Sequence, residues 1–171
     1  GTGSEVTQIA IITTGETTKM GVVSPLLLPD LALLDADLTL GLPPAVTAAT
    51  GIDAISHALE TAVTTRRNVM SGRFSLEAWT RLAEGFPSVI ADPGDIAARQ
   101  KMLYGAHLAG AAIENSMLGA PHALANPLSA HYGMTHGVAV GLMLPHVIRF
   151  NHESAEEIYS ELLEAAGLGC G

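Results

Sequence analysis

The chain has 171 residues, of which 48% are hydrophobic and 15% are charged, enough apolar material for a buried core. Seventeen acidic residues against eight basic ones give a net charge of -9, the wrong sign for a nucleic-acid binder. The sequence has no stretch suited to a membrane helix and no secretory leader pattern, and its single cysteine, Cys170, excludes a disulfide framework and a cysteine zinc site. We therefore expect a cytoplasmic protein without nucleic-acid or membrane partners, whose chemistry rests on histidines and carboxylates.

The first 42 residues predict a short β-hairpin followed by a connector. Residues 6–14 are rich in β-branched side chains, Gly15 and Glu16 form a turn, and a second apolar run extends from Lys19 to Val23. The connector is interrupted by prolines and contains LALLDADL, which suits either an extended segment or a helical turn.

Residues 43–171 predict a helical domain. Apolar residues at helical spacing, bounded by proline, glycine and capping signals, place helices at about 45–64, 74–92, 96–116, 122–133, 135–151 and 153–167. Asp95 is the predicted N-cap of the third helix, and Gly167 ends the last. The fold class that follows is mainly α, a helical bundle preceded by a short β-hairpin.

Two groups of polar residues in these helices could bind a metal ion. Asp53 and His57 are four residues apart and so share a helix face, a spacing that suits one metal ion but equally a simple hydrogen-bonded pair. Several histidines also lie in one largely apolar stretch, where a buried imidazole needs a partner; they are His122, His131, His136 and His146. One aspartate with three histidines suits Fe(II), Zn, Mn, Ni or Co rather than Ca or Mg. Spacing alone does not choose among the four histidines, and satisfied core histidines are the alternative.

Three long segments carry a resemblance to a known family. GTGSEVT at residues 1–7, LPPAVTAATGIDAISHALE at 42–60 and GAPHALANPLSAHYGMTHGVAVGLMLPHVIRFN at 119–151 resemble the iron-containing (group III) alcohol dehydrogenases, and the likeness runs almost from end to end. It implies a helical, dehydroquinate synthase-like C-terminal domain that holds the catalytic metal, after an α/β domain that holds most of NAD(P). The glycine-rich phosphate turn of that α/β domain has no counterpart here. The chain resembles a truncated member: residues 1–42 end the cofactor-binding region, and residues 43–171 are the metal-binding domain, incomplete at its C-terminus.

The resemblance also implies roles for individual residues. The metal ligands it implies are Asp53, His57, His122 and His136. Asn126 stands four residues after His122, where the family usually has a second histidine close to the nicotinamide, and is the implied catalytic residue. Because asparagine hydrogen-bonds but does not titrate near neutral pH, His131 is an alternative proton relay.

The cofactor-binding residues that the resemblance implies are Thr2, Ser4 and Lys19. Composition alone favours a plainer interpretation, in which Lys19 is an exposed turn residue and Ser4 begins a helix.

The function implied by the resemblance is a metal-dependent alcohol dehydrogenase. Fe(II) or Zn(II) would polarise the oxygen of a small alcohol or aldehyde for hydride transfer to or from NAD or NADP. We expect a homo-oligomer. Two alternatives are a stand-alone metal-dependent hydrolase of the esterase type, which would need no nicotinamide, and a non-catalytic helical remnant that binds metal or self-associates.

Overall fold

A computed structural model of the chain describes residues 1–14 and 18–169, except for the side chains of Thr13 and Lys19. Within these residues the polypeptide forms five α-helices and one two-stranded sheet. The predicted fold class, a helical domain after a short hairpin, is confirmed. The predicted turn at Gly15 and Glu16, like Cys170, lies outside the described residues.

The hairpin consists of strands β1 (Ile9–Thr14) and β2 (Thr18–Val23). The strands are antiparallel, with Ile9 opposite Val23 and Thr14 opposite Thr18. β-branched residues dominate β1, as expected for an extended segment. The connector that follows contains two short 3-10 turns, Pro25–Leu27 and Asp37–Thr39. Of LALLDADL, the last two residues lie in a helical turn, and residues 31–36 form neither a helix nor a strand.

The helical domain begins with α1 (Pro44–Val63), α2 (Val69–Ala91) and α3 (Ile96–Ser116). These helices pack around a core rich in alanine, in which small side chains allow close helix contact. The core residues are Ala54, Ala58, Ala78, Leu82, Ala106, Leu108 and Ala109. As predicted, Asp95 caps α3, its side chain accepting the Ala98 N–H at 3.0 Å.

Two further helices, α4 (Ala120–Tyr132) and α5 (His136–Ala165), complete the described fold. α4 and α5 share a small apolar cluster of Ala125, Ala139 and Val140, and α5 also packs against α1 and α2 through Leu162 and its neighbours. The sequence predicts two helices here, 135–151 and 153–167, and α5 does consist of two helical segments. They meet at a kink where the backbone of Ala155 is non-helical (φ -133°, ψ 18°), four residues after the predicted end of the first helix. None of the described helices is long and apolar enough to cross a membrane.

Candidate metal centre

α1 carries the first two predicted ligands on one buried face. Asp53 is 5% exposed and His57 is 7% exposed, and they lie one helical turn apart. The side chains meet, with His57 Nε2 3.7 Å from Asp53 Oδ1.

Two other helices bring the remaining predicted ligands to the same carboxylate. His122, in the first turn of α4, places Nε2 3.3 Å from Asp53 Oδ1 and 3.0 Å from His57 Nε2. His136, the first residue of α5, places Nε2 3.7 Å from Asp53 Oδ1. Of the four candidate histidines in the apolar stretch, these are the two that reach Asp53.

The donor atoms are arranged in a way that fits one divalent cation. Asp53 Oδ1 is buried and accepts no hydrogen bond of good geometry, although three imidazole nitrogens lie 3.3 to 3.7 Å from it. Ligand atoms about 2.0–2.1 Å from a tetrahedral Zn²⁺ are separated from one another by roughly 3.4 Å. One ligand atom each from Asp53, His122 and His136 lies within 4.8 Å of the others, and His57 adjoins them. A carboxylate with imidazoles is also the right chemistry for Fe(II) or Zn(II).

In this cluster, burial and neighbouring charges shift the pKa of each group in opposite directions. Burial lowers the pKa of His57 to about 4, although the Asp53 charge opposes the shift, so the ring is neutral near pH 7. Burial would also lower the pKa of His122, but its close contact with Asp53, its hydrogen bond to Glu60 and the charges of both carboxylates outweigh burial and raise that pKa to about 9. Burial would raise the pKa of Asp53, yet the contact with His122 and the charges of the histidines lower it, so this carboxylate is anionic.

The four residues of the cluster differ in exposure. The side chains of Asp53, His57 and His122 are each 7–8% exposed, whereas that of His136 is 37% exposed. His136 is therefore the residue through which the cluster meets the surface of the described chain.

Glu60 belongs to this site although the sequence reasoning gave it no role. It is 3% exposed, and its Oε1 lies 2.5 Å from His122 Nδ1. The available signal was positional, because Glu60 is the third residue after His57 and the seventh after Asp53, and so lies on the same face of α1.

The other predicted polar residues of α4 lie outside the cluster. Asn126 is exposed one turn after His122, and His131 is exposed in the last turn of α4. His146, the remaining candidate histidine, is exposed in α5.

The predicted cofactor-binding residues Thr2 and Ser4 belong to an N-terminal segment that packs on α3. Its contacts with α3 include the Gly3 backbone against Gly110, Glu5 Oε1 3.2 Å from His107 Nδ1, and the Gln8 N–H donating to Glu114 Oε2 at 2.9 Å. Lys19 lies in β2, but its side chain is outside the described part of the chain.

Comparison with family models identifies both parts of the chain. Residues 47–171 match the model "Fe-containing alcohol dehydrogenase family, C-terminal", and residues 1–36 match "Iron-containing alcohol dehydrogenase".

The curated relatives have dehydrogenase or reductase names. The chain is 38% identical over 168 residues to 1,3-propanediol dehydrogenase of Klebsiella pneumoniae, covering 98% of this chain and 43% of the relative. It is 37% identical over 169 residues to lactaldehyde reductase of Escherichia coli, covering 98% and 44%. The chain thus spans less than half the length of the curated relatives it matches.

Solved structures have the same fold as this chain. A 1,3-propanediol oxidoreductase superposes with a TM-score of 0.93 at 38% identity, covering 98% of this chain and 44% of that one. An iron-containing alcohol dehydrogenase from Thermotoga maritima superposes with a TM-score of 0.88 at 33% identity, covering 99% and 46%. From the length of the match to the family model and the agreement of the fold, we conclude that this chain belongs to the iron-containing alcohol dehydrogenase family.

Proposed function

We propose that this chain supplies the metal-binding part of a metal-dependent alcohol dehydrogenase. One observation carries the proposal: His57, His122 and His136, from three helices, all place Nε2 within 3.7 Å of a single buried oxygen of Asp53. We further propose that residues 43–171 form the metal-binding domain and residues 1–42 the end of a cofactor-binding region.

Each residue of the cluster has a distinct part in holding the metal. Asp53 supplies the negative charge that offsets a divalent cation, and His57 offers a neutral imidazole. His122 would lose its Nε2 proton to bind a metal ion through that nitrogen, so metal uptake would release a proton. His136, the most exposed of the four, would contribute a further imidazole nitrogen.

Fe(II) or Zn(II) bound here supplies Lewis acidity, which lowers the pKa of an alcohol and stabilises negative charge on its oxygen. The burial of Asp53, His57 and His122 would keep water from that side of the ion. We propose that Asn126, exposed one turn after His122, hydrogen-bonds a substrate or cofactor; its amide does not relay a proton near pH 7.

The hydride acceptor we propose is NAD or NADP, and the substrate a small alcohol or aldehyde. Two observations support this proposal: the relatives include a 1,3-propanediol dehydrogenase and an NAD-dependent methanol dehydrogenase, and the His136 side chain of the cluster is 37% exposed. Thr2, Ser4 and Lys19 are the residues of this chain that we propose to contact the cofactor.

The first test is the metal content of the purified chain, measured by elemental analysis after reconstitution with Fe(II) or Zn(II). About one ion per chain is expected, and the double variant Asp53→Ala/His122→Ala should bind none. His146→Ala is the matched control, because it removes an exposed histidine that lies outside the cluster. No bound ion in the unaltered chain, or equal metal content in the double variant, would contradict the proposal.

The second test separates dehydrogenase from hydrolase chemistry. The loaded chain is assayed with short alcohols and NAD(P), and separately with esters in the absence of nicotinamide. Turnover that requires both metal and nicotinamide supports the proposal, whereas metal-dependent ester hydrolysis alone would replace it with the hydrolase alternative.

Self-association is also part of the proposal. Leu26, Leu31 and Leu33 of the connector are 94%, 74% and 83% exposed, an apolar surface that favours contact with another copy. Sedimentation at increasing protein concentration should show a rising mass, and a constant monomer mass would rule this part out.

A further inference from the structure

Glu60 joins α1 to the beginning of α4 through two hydrogen bonds. Its Oε1 accepts from His122 Nδ1 at 2.5 Å, and its Oε2 accepts the backbone N–H of Gly119 at 2.8 Å. Gly119 is the residue that precedes α4, and it provides no side-chain cap for that helix. Both oxygens of one buried carboxylate are therefore engaged by the segment that carries His122.

The contact with Glu60 determines how the His122 ring is presented. With the Nδ1 proton directed at Glu60, the opposite nitrogen, Nε2, faces Asp53 Oδ1 at 3.3 Å and His57 Nε2 at 3.0 Å. A histidine ligand whose second nitrogen donates to a carboxylate is held in one tautomer and one orientation. His57 differs, because its Nδ1 is buried and has no hydrogen-bond partner within the described residues.

We propose that Glu60 is a positioning residue for the metal centre, holding the His122 imidazole so that Nε2 faces the site defined by Asp53. This inference rests on the proposed function, since it assumes that His122 is a ligand. Glu60 does not reach the metal through its own oxygens, because both are committed to His122 and Gly119.

The chemistry of the two bonds requires a carboxylate. Both partners are donors, and an ionised carboxylate is the side chain that accepts on both oxygens without presenting a hydrogen. Glutamine has one acceptor oxygen, so its amide group would face either His122 Nδ1–H or the Gly119 N–H, donor against donor. Glu60→Gln thus keeps the size of the side chain while breaking one of the two bonds.

The experiment compares Zn²⁺ affinity of the unaltered chain, Glu60→Gln and Glu114→Gln by competition with a chromophoric chelator. Glu114 is the matched control, because it too is a carboxylate bound to a backbone N–H and a side chain, but those partners belong to Gln8. Thermal unfolding of the metal-free proteins establishes that each variant is folded. Glu60→Gln should bind Zn²⁺ about 10–100-fold more weakly, the loss typical of a removed outer-shell partner, and Glu114→Gln should bind normally.

A second measurement does not depend on any variant being folded. In the Zn²⁺-loaded, ¹⁵N-labelled chain, NMR should show His122 with a slowly exchanging Nδ1–H and with Nε2 as the liganding nitrogen. A rapidly exchanging Nδ1–H, or Nδ1 as the liganding atom, overturns the inference.

The outcomes separate this inference from the proposed function. If the unaltered chain binds no Zn²⁺, both are overturned. If it binds Zn²⁺ and folded Glu60→Gln binds with the same affinity, Glu60 only joins two helices, and the positioning role alone is overturned.

Discussion

The approach of α5 to α1 at Gly137 should decide whether His136 reaches the metal centre. A Cβ atom added at Gly137 would lie 2.0 Å from the carbonyl oxygen of Ala49 and 2.7 Å from its carbonyl carbon. Real Cβ atoms essentially never approach a neighbour within 3.0 Å, and these neighbours are backbone atoms of a helix, which do not rotate away. In Gly137→Ala the first turn of α5 must therefore retreat by about 1 Å from the packed helix.

That displacement is large for a metal ligand. Metal bonds tolerate deviations of about 0.2 Å, and His136 adjoins Gly137 in the same turn. We expect Gly137→Ala to weaken metal binding by at least about 10–100-fold, the range seen when an outer-shell partner is lost. The metal-free chain should lose about 1–3 kcal/mol from overpacking, of which better helix propensity returns roughly 0.5–1 kcal/mol.

The assays are chelator competition for metal affinity and urea unfolding of the metal-free protein. Gly72→Ala in α2 is the matched control, because its added Cβ would meet only the movable Arg67 guanidinium, at 3.1 Å. The control should bind metal normally and be slightly more stable. If Gly137→Ala behaved like Gly72→Ala in both assays, the argument from backbone contact would be wrong.

Three further predictions concern other parts of the fold. Gly110→Ala would place a Cβ 2.3 Å from the Gly3 carbonyl oxygen and so push the N-terminal segment away from α3. The amide hydrogens of residues 1–8 should then exchange faster, while metal affinity stays unchanged. Exchange rates equal to those of the unaltered chain would refute this prediction. Trp79→Phe removes the bond from Nε1 to the Leu162 carbonyl at 2.6 Å and should cost about 1 kcal/mol in urea unfolding, and an unchanged midpoint would contradict it. Chelation should speed hydrogen exchange in α4 more than in α2 and α3, whereas a uniform change would count against a special dependence of α4 on metal.

Capping residues and apolar periodicity predict most of the helices, and two helix starts show where these patterns succeed and where they fail. Asp95 before Ile96 marked the start of α3 correctly, because the cap is a property of adjacent residues. For α2, the apolar periodicity predicts a start at residue 74, five residues after the observed start at Val69. Asn68 and Ser71 form a reciprocal capping box there, which the apolar periodicity did not include.

In the candidate site too, some residues could be predicted from the sequence and others could not. The spacing of Asp53 and His57 guarantees a shared helix face, so their contact was predictable from the sequence. The choice of His122 and His136 came from the family resemblance, because these residues begin separate helices whose approach to α1 depends on tertiary packing. Glu60 was missed because no local pattern states which donor a buried carboxylate will meet on another helix.

The distribution of apolar contacts explains why α4 should depend on the metal centre. The apolar cluster of α4 is shared with α5 through Ala125, Ala139 and Val140, whereas the cores of α1 are shared with α2, α3 and α5. Between α1 and α4 the described hydrogen bonds and ion pairs are those of His122 and Gly119 with Asp53, His57 and Glu60. Three of these five residues, Asp53, His57 and His122, are candidate ligands. Metal binding and the packing of α4 on α1 therefore depend on the same side chains. The free energy of binding a cation then becomes, in part, the free energy of ordering α4.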